Sequence, residues 1–366
     1  MTTLDRQSPA AIAAAVNNGK TSALAVAQDT LARLHAYDAV QPQIWISRAS
    51  PTDLLAAARK VDARISAGEQ LSLAGVPFAI KDNIDVAGFE TTAGCPAYAY
   101  SPSGSATVVE KLLEAGAICV GKTNLDQFAT GLVGTRSPYG IPRNAYNLDY
   151  VSGGSSSGSA VAVAAGLVSF ALGTDTAGSG RVPAAFNHLV GLKPTKGRWS
   201  THGLVPACRT IDCITVFTDN LSDARLVDDV LAGFYPLDPY SKPLTDIALQ
   251  PKRIGVPRRN QRAWFGDSQS EYLYDQAISR LEAGAEIVEL DISPLNEAAS
   301  LLYNGPWVAE RTAAIQDLLA SNPDAINETV RSVVEPGLNI NAVELFKGMY
   351  RLAELKRHAD GLWEKV

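Results

Sequence analysis

The sequence predicts an α/β fold built on a largely parallel sheet that is covered by helices. Short apolar runs that end in polar or glycine residues, as strands do, occur at 76–82, 118–123, 168–175 and 253–257. Helical patterns alternate with them at 107–115, 157–166 and 222–231. Strand–helix alternation of this kind is typical of parallel sheets, whose strands need crossover connections.

The first seventy residues form a predicted helical layer. Ser8-Pro9 and Ser50-Pro51 each combine an N-cap residue with proline at the first helical position. Apolar residues at helical spacing follow at 12–16 and 54–65, and 21–34 predicts a third helix. The short run IWIS at 44–47 predicts a strand inside this layer. The tail from Asn296 is predicted to be helical, with a long amphipathic helix at 342–363.

Composition indicates a globular protein without an electrostatic affinity for nucleic acids or anionic membranes. Of 366 residues, 46% are hydrophobic and 19% charged, and the formal net charge is −6. The four cysteines (Cys95, Cys119, Cys208, Cys213) form no CxxC pair, and we expect buried thiols in a reducing cytosol. The N-terminus lacks the basic start of a signal peptide, and no apolar stretch is long enough to span a bilayer. We therefore expect a soluble, cytoplasmic protein.

The most informative segment, residues 152–181, places a helix of small residues and a short strand between two Gly/Ser clusters. The plainest interpretation is that both clusters are turns. A phosphate-binding loop would need a GK[ST] or GxGxxG pattern, and neither is present. Residues 154–158 match the GxSxG elbow of α/β-hydrolases. That motif needs an apolar strand directly before it, whereas a polar loop precedes it here.

A Ser–Ser–Lys relay is a third interpretation, because such a relay activates a serine without histidine. Lys81, at the end of the run VPFAIKD, supplies the lysine. The motifs GVPFAIKDN, GGSSSGSA, GTDTAGSGRVPA and GLKPTKG follow one another in this chain. Together they resemble the amidase-signature family over nearly the whole chain, most densely at 75–215. The resemblance implies the amidase-signature fold, an α/β fold whose large, mixed, mostly parallel central sheet is covered by helices on both faces.

The resemblance also implies roles for individual residues. Ser179 is the expected nucleophile, Ser155 the relay serine behind a cis Gly154–Ser155 bond, and Lys81 the base. Burial away from carboxylates would lower the pKa of Lys81 enough for this role. A solvated Lys81 paired with Asp82 is the alternative. The backbone N–H groups of Thr176, Ala177, Gly178 and Ser179 are expected to form the oxyanion hole. We expect Asp175 and Arg181 to brace this loop as an ion pair, and Ser156 and Ser157 to cap the next helix.

Within the family, residues 122–144 and 301–311 resemble the allophanate hydrolase branch. This resemblance implies hydrolysis of allophanate, a small anionic amide, to ammonia and carbon dioxide, with Tyr303, Arg311 and Gly131 binding the substrate. Tyr303 and Arg311 are eight residues apart, so one helix would place them on the same side. The alternatives are another small-amide hydrolase, a non-catalytic member and an amidotransferase A-type subunit.

The resemblance implies no cofactor and no metal, and a homodimer as the assembly. It predicts one domain over 1–366, with an N-terminal layer at 1–70 and a catalytic core with substrate-binding helices at 71–366. The C-terminal part of the family architecture is expected to be absent from this chain.

Overall fold

The computed structural model describes residues 8–245 and 252–366, which divide into two compact units. The first unit comprises the residues up to Leu244 together with Ala313–Glu335. The second comprises Thr245–Thr312 together with Pro336–Val366. Residues 1–7, from which the absence of a signal peptide is predicted, lie outside the described ranges. The single-domain organisation stays a prediction.

A six-stranded mixed sheet forms the centre of the first unit. Its strands are β1 Trp45–Arg48, β2 Pro77–Lys81, β3 Ile118–Thr123, β4 Phe170–Asp175, β5 Val190–Leu192 and β6 Cys213–Thr218. The strand order is β1-β3-β2-β4-β6-β5. β2 pairs in parallel with both β3 and β4, and the other three pairings are antiparallel. The carboxyl ends of β2, β3 and β4 therefore meet at one edge of the sheet.

Helices surround this sheet, so the predicted α/β fold with a mixed sheet is confirmed, whereas the expectation of a largely parallel sheet is wrong, because three of the five strand pairings are antiparallel. The helices of the first unit are α1 Pro9–Asn17, α2 Ala23–Tyr37, α3 Pro51–Ser66, α4 Thr107–Glu114, α5 Ser157–Ala164, α6 Arg181–Phe186 and α7 Leu221–Leu231. Of the two predicted N-caps, one is confirmed: the Ser50 hydroxyl accepts the N–H of Asp53. The other is wrong, because Ser8 donates to Asp223 of α7 and does not cap α1. The predicted strand at 44–47 is realised as β1, an edge strand of the sheet.

Helix α5 packs unusually close to the sheet because its residues are small. All eight of its residues are buried. A Cβ on Gly158 would lie 2.3 Å from the Ile44 carbonyl oxygen and 2.6 Å from the Asn124 nitrogen, so only glycine fits there. Within the sheet, Phe78 of β2 and Phe170 of β4 lie opposite each other and stack with their ring centroids 5.2 Å apart. The predicted close-packing helix between the two Gly/Ser clusters is confirmed.

The second unit holds its own small parallel sheet, β7 Arg253–Pro257 paired with β8 Glu286–Leu290. The prediction that residues 253–257 belong to the main sheet is wrong, because β7 pairs with β8 in a separate two-stranded sheet. The remaining helices are α8 Ser268–Leu281, α9 Ser293–Asn304, α10 Trp307–Ser321, α11 Glu328–Val334 and α12 Ala342–Trp363. Of these, α11 lies in the first unit and α10 runs from the second into the first.

Two further predictions concern membranes and thiols. Across residues 8–245 and 252–366, no helix is both long and apolar enough to cross a membrane. All four cysteines are free thiols; three are buried, whereas Cys119 is partly exposed. Burial nevertheless raises the pKa of the Cys119 thiol to about 12, so the expectation of a buried thiol holds there, although the residue, on β3 next to the edge strand, is partly exposed as a whole.

Candidate active site

Lys81 ends β2 and lies entirely inside the protein. Its side chain is 0% exposed, and its Nζ donates to Ser155 Oγ and to Thr174 Oγ1, both at 2.7 Å. Burial lowers the pKa of Lys81 from 10.5 to about 7, although the charges of Asp126, Asp212 and Asp175 act in the opposite direction. The alternative of a solvated Lys81 paired with Asp82 is therefore wrong. A lysine of this kind is substantially neutral at physiological pH and can accept a proton.

Ser155 lies in the first Gly/Ser cluster, two residues before α5, and the peptide bond Gly154–Ser155 is cis, as the family resemblance implies. The Ser155 side chain is wholly buried and accepts the hydrogen bond of Lys81. Ser156 occupies the N-cap position of α5, but its hydroxyl pairs with the backbone of Thr174, so it does not cap the helix. Ser157 likewise bonds the Asn124 carbonyl at 3.4 Å. Both capping predictions are wrong, because these hydroxyls bond the backbone of Thr174 in β4 and of Asn124 after β3 instead of the helix N–H groups.

The elbow interpretation of residues 154–158 is not supported by this geometry. The residue at the nucleophile position of that motif is Ser156, which is 0% exposed. Its hydroxyl both donates to the Thr174 carbonyl and accepts the Thr174 N–H at 3.2 Å. The described residues directly before it, 144–154, form a loop with one isolated bridge at Val151, where the elbow needs a strand.

Ser179 lies in the loop between β4 and α6. Its hydroxyl donates to the Gly131 carbonyl at 3.5 Å, and its own carbonyl accepts the Ser156 N–H at 3.3 Å. The second contact places the loop of Ser179 beside the residue that follows Ser155. Within the described residues, Ser179 and Ser155 share no hydrogen bond in this arrangement. Gly131, predicted to bind substrate, is thus located next to the predicted nucleophile.

The loop 175–181 is braced as predicted. Arg181 donates to both carboxylate oxygens of Asp175, at 2.9 and 3.0 Å. Burial alone would raise the pKa of Asp175, but the hydrogen bonds and charge of Arg181 outweigh it and lower that pKa. The same carboxylate accepts the N–H of Gly178 at 2.7 Å. Gly178 is therefore not available as an oxyanion donor in this arrangement, and that part of the prediction is wrong. The N–H groups of Thr176, Ala177 and Ser179 stay candidates.

Sequence reasoning missed two buried residues beside these serines. Thr174 is the second partner of Lys81. Asp126 accepts the N–H groups of Gly134 and Arg136 at 2.9 Å, and its own N–H donates to the Ser155 carbonyl at 3.0 Å. A signal was available: Asp126 follows β3 and Thr174 is the last residue but one of β4, and the ends of neighbouring parallel strands share an edge with Lys81.

Tyr303 and Arg311 lie in the second unit, on two helices and not on one. Tyr303 is in the last turn of α9, which ends at Asn304 with Gly305 as its C-cap, and Arg311 is in α10. The prediction of one helix is wrong because Gly305 is extended (φ −120°, ψ −167°) and Pro306 disfavours a helical residue before it. The Arg311 guanidinium nevertheless lies 5.9 Å from the Tyr303 ring centroid. Arg311 is buried, whereas Tyr303 is 46% exposed.

The sequence of this chain is similar to those of known proteins. The sequence profile of the Amidase family matches residues 29–364. The urea amidolyase of Saccharomyces cerevisiae is 48% identical over 330 residues, which are 88% of this chain and 18% of that protein. The A-type chain of a glutamyl-tRNA(Gln) amidotransferase from Cyanothece is 36% identical over 361 residues, covering 92% of this chain and 74% of that one.

A solved structure of Kluyveromyces lactis allophanate hydrolase superposes on the whole chain with a TM-score of 0.93 at 42% identity. This chain covers 60% of that structure's chain. It spans less than a fifth of the length of the urea amidolyase.

Proposed function

The chain belongs to the amidase family, and from this premise we propose that it is an amide hydrolase that acts on allophanate, urea-1-carboxylate. The observation that carries the chemistry is the buried contact of 2.7 Å between Lys81 and Ser155. The substrate is proposed because the chain resembles proteins named urea amidolyase and allophanate hydrolase.

In the proposed reaction, neutral Lys81 accepts the proton of Ser155 while Ser155 accepts that of Ser179. The oxygen of Ser179 then attacks the terminal amide carbon of allophanate. A pKa of about 7 leaves Lys81 about half neutral at pH 7, so the base is present without a histidine. The proton returns to the leaving nitrogen, and ammonia departs. Water hydrolyses the acyl-enzyme to N-carboxycarbamate, which decomposes to carbon dioxide and a second ammonia.

The negative charge of the tetrahedral intermediate needs donors that are already in place. We assign this role to the backbone N–H groups of Thr176, Ala177 and Ser179. The Asp175–Arg181 pair supports the assignment, because it holds both ends of their loop. Small side chains at Ala177 and Gly178 leave room for the substrate carbonyl.

The carboxylate of allophanate needs a positive partner, and the net charge of −6 offers no general attraction to an anion. We propose that Arg311 binds it through the guanidinium fork and that Tyr303 adds a hydrogen bond. The burial of Arg311 supports this assignment, because a charge-assisted contact is stronger where water is excluded.

Two further properties are implied by the resemblance and not by a described contact. A homodimer and a cytoplasmic location both stay predictions. Sedimentation of the purified chain would test the first, and cell fractionation would test the second.

The test of function measures ammonia released from allophanate, acetamide, malonamide and glutamine. We expect kcat/KM to be highest for allophanate. A preference for glutamine would instead support a role in an amidotransferase, which the similarity to the Cyanothece protein makes the main alternative.

Mass spectrometry after treatment with a fluorophosphonate should find the adduct on Ser179. An adduct on Ser156 would contradict the proposed mechanism.

A further inference from the structure

A buried carboxylate, that of Asp126, holds a loop that runs past both serines of the proposed relay. The loop comprises residues 131–136, which form neither helix nor strand. Asp126 is 0% exposed, and each of its carboxylate oxygens accepts one backbone N–H of the loop. The donors are Gly134 and Arg136, both at 2.9 Å. These bonds replace the regular backbone pairing that the loop lacks.

The backbone that leads into loop 131–136 adopts a conformation that only its surroundings can impose. Phe128 and Ala129 have φ values of 51° and 53°, in the left-handed region that residues with a side chain rarely adopt. Such residues persist where neighbouring contacts hold them in place, and they are common at active sites. Arg136 closes the loop by donating from its side chain to the Thr130 carbonyl at 2.9 Å. The loop is therefore held in one shape at a cost in backbone strain.

Asp126 also contacts the segments that carry the two serines. Its own N–H donates to the Ser155 carbonyl at 3.0 Å. A Cβ on Gly154 would lie 2.3 Å from Oδ2 of Asp126, and one on Gly131 would lie 2.6 Å from the same oxygen. The backbone at both glycines therefore packs directly against the carboxylate. The Gly131 carbonyl in turn accepts the hydroxyl of Ser179 at 3.5 Å. One side chain thus connects the backbone before the relay serine with the backbone that bonds the nucleophile.

Building on the proposed roles of Ser155 and Ser179, we propose that Asp126 is a positioning residue for the proton transfer between them. Its carboxylate fixes the backbone at Gly131 relative to the segment of Ser155, and the Gly131 carbonyl fixes the oxygen of Ser179. The Ser179 hydroxyl must turn from that carbonyl to Ser155 before its proton can move, so the distance across which it turns is set by the loop. A displacement of about 1 Å between reacting groups can cost roughly 100-fold in rate.

Asparagine at position 126 separates this role from an effect of charge. It keeps the shape of the side chain but replaces one acceptor oxygen with an NH2 group, which would face a backbone N–H of the loop. The charge of Asp126 favours protonated Lys81, as do those of Asp212 and Asp175, which the variant retains. Loss of the charge alone would leave more neutral lysine at pH 6 and make Ser179 react faster there. A displaced loop predicts a slower reaction at every pH.

The test follows the rate at which a fluorophosphonate reacts with Ser179 between pH 5 and 10, per folded molecule. We expect Asp126→Asn to react about 10- to 100-fold more slowly over the whole range, including above pH 9, where Lys81 is neutral in both proteins. Arg136→Ala removes only the bond that closes the loop on the Thr130 carbonyl. It should show a smaller loss in the same direction.

Asp62→Asn is the matched control. The two carboxylate oxygens of Asp62 likewise accept one backbone N–H each, from Ala23 at 2.7 Å and from Leu24 at 3.0 Å. These bonds hold the start of α2, in the N-terminal helical layer. Asp62→Asn should therefore lower the free energy of unfolding, as Asp126→Asn does, but leave the reaction of Ser179 at the wild-type rate. Urea denaturation of both variants measures the first effect.

A wild-type rate in Asp126→Asn, or a rate that is faster at pH 6 and unchanged above pH 9, would overturn the inference. An equal slowing in Asp62→Asn would overturn it too, because general loosening of the fold would then suffice. Should Asp126→Asn fail to fold, Arg136→Ala decides: a slower reaction supports the inference and a wild-type rate overturns it.

Mass spectrometry of the wild-type adduct separates this inference from the proposed function. If the adduct lies elsewhere than on Ser179, the proposed function fails and the inference fails with it. An adduct on Ser179 together with wild-type rates in Asp126→Asn and Arg136→Ala overturns this inference alone.

Discussion

Two hydroxyl groups, those of Ser155 and Thr174, lie 2.7 Å from the amine of Lys81, and solvent does not reach it. Hydroxyls satisfy the amine in either protonation state, since they can donate as well as accept. A carboxylate at the same distance would stabilise only the ammonium. The choice of partners, together with burial, therefore keeps Lys81 available as a base near neutral pH.

Replacing Lys81 should remove that base. We expect Lys81→Ala to lower the rate of ammonia release by about 10²–10⁴-fold and to abolish the acidic limb of the pH–rate profile. Lys81→Arg should be nearly as damaging, because a guanidinium keeps its proton throughout this range. Profiles of kcat/KM from pH 5 to 9 measure both effects. Lys60→Ala, at an exposed position on α3, is the control and should match the wild type. Near-normal turnover by Lys81→Ala would rule out the relay.

The proposed carboxylate contact of Arg311 gives a prediction about specificity. Arg311→Ala should lower kcat/KM for allophanate by an amount equivalent to about 2–4 kcal/mol, the scale for truncating one partner of a buried charge pair. A neutral amide of similar size should lose far less, because it has no carboxylate to bind. Arg351→Ala, which removes an exposed ion pair with Glu297, should change neither value appreciably. Equal losses on both substrates would show that Arg311 supports the fold.

For single residues, the sequence predicts a site position where a motif contains the reactive residue type itself. Motifs predict Lys81 and Ser155, and the structure places them in contact, although their chemical roles stay predictions. The predictions for the Gly178 N–H and for the partner of the Ser156 hydroxyl are wrong. Both depend on backbone positions a few ångströms apart across different segments, and no local pattern encodes them.

The sequence predicts the positions of strongly periodic helices and strands well. It predicts less well which strand pairs with which and where one helix gives way to the next. The bounds of β3, β7 and α12 agree with the predicted runs. The sheet assigned to β7 is wrong, since a strand pattern says nothing about which strand lies beside it. The break between α9 and α10 is also missed, although Gly305-Pro306 is a strong local signal for the end of a helix.

That break also shapes the packing of α12 in the second unit. A Cβ on Gly348 would lie 2.3 Å from Cγ of Pro306, whereas one on Gly361 of the same helix meets nothing within 4 Å. Gly348→Ala should therefore destabilise the protein by about 1–3 kcal/mol through overpacking. Gly361→Ala should stabilise it by about 0.5–1 kcal/mol through helix propensity. Urea denaturation of both variants measures the difference. Similar stabilities would mean that α12 does not pack closely on Pro306.

For the molecule as a whole, a buried base carries a cost in the free energy of unfolding. The pKa of Lys81 is about 7 in the folded protein, against 10.5 for a lysine that is not buried. The unfolded chain therefore binds one more proton between these pH values, and stability rises with pH across that window. Below pH 7 the full cost applies, and above 10.5 it disappears. Residues that make a site reactive commonly weaken the fold in this manner.

This cost can be measured with Lys81→Met, which fills similar space without a charge. We expect the variant to be more stable than the wild type at pH 6–7. The difference between the two proteins in the free energy of unfolding should narrow by up to about 1.4 kcal/mol per pH unit as the pH rises towards 10. Urea titrations at four pH values between 6 and 10 measure this difference. A difference that is constant with pH would show that Lys81 is protonated in the folded protein.

The contacts of Lys81 also determine how late, during synthesis and folding, this residue can become a base. Its partners Ser155 and Thr174 lie 74 and 93 residues further along the chain. A ribosome adds about 5–20 residues each second, so roughly 5–20 s pass between the synthesis of Lys81 and that of Thr174. Parallel pairing over such separations is also slow to form once the chain is complete. Throughout this interval Lys81 is a hydrated ammonium like any surface lysine, and it becomes a base only when β2 and β4 close around it.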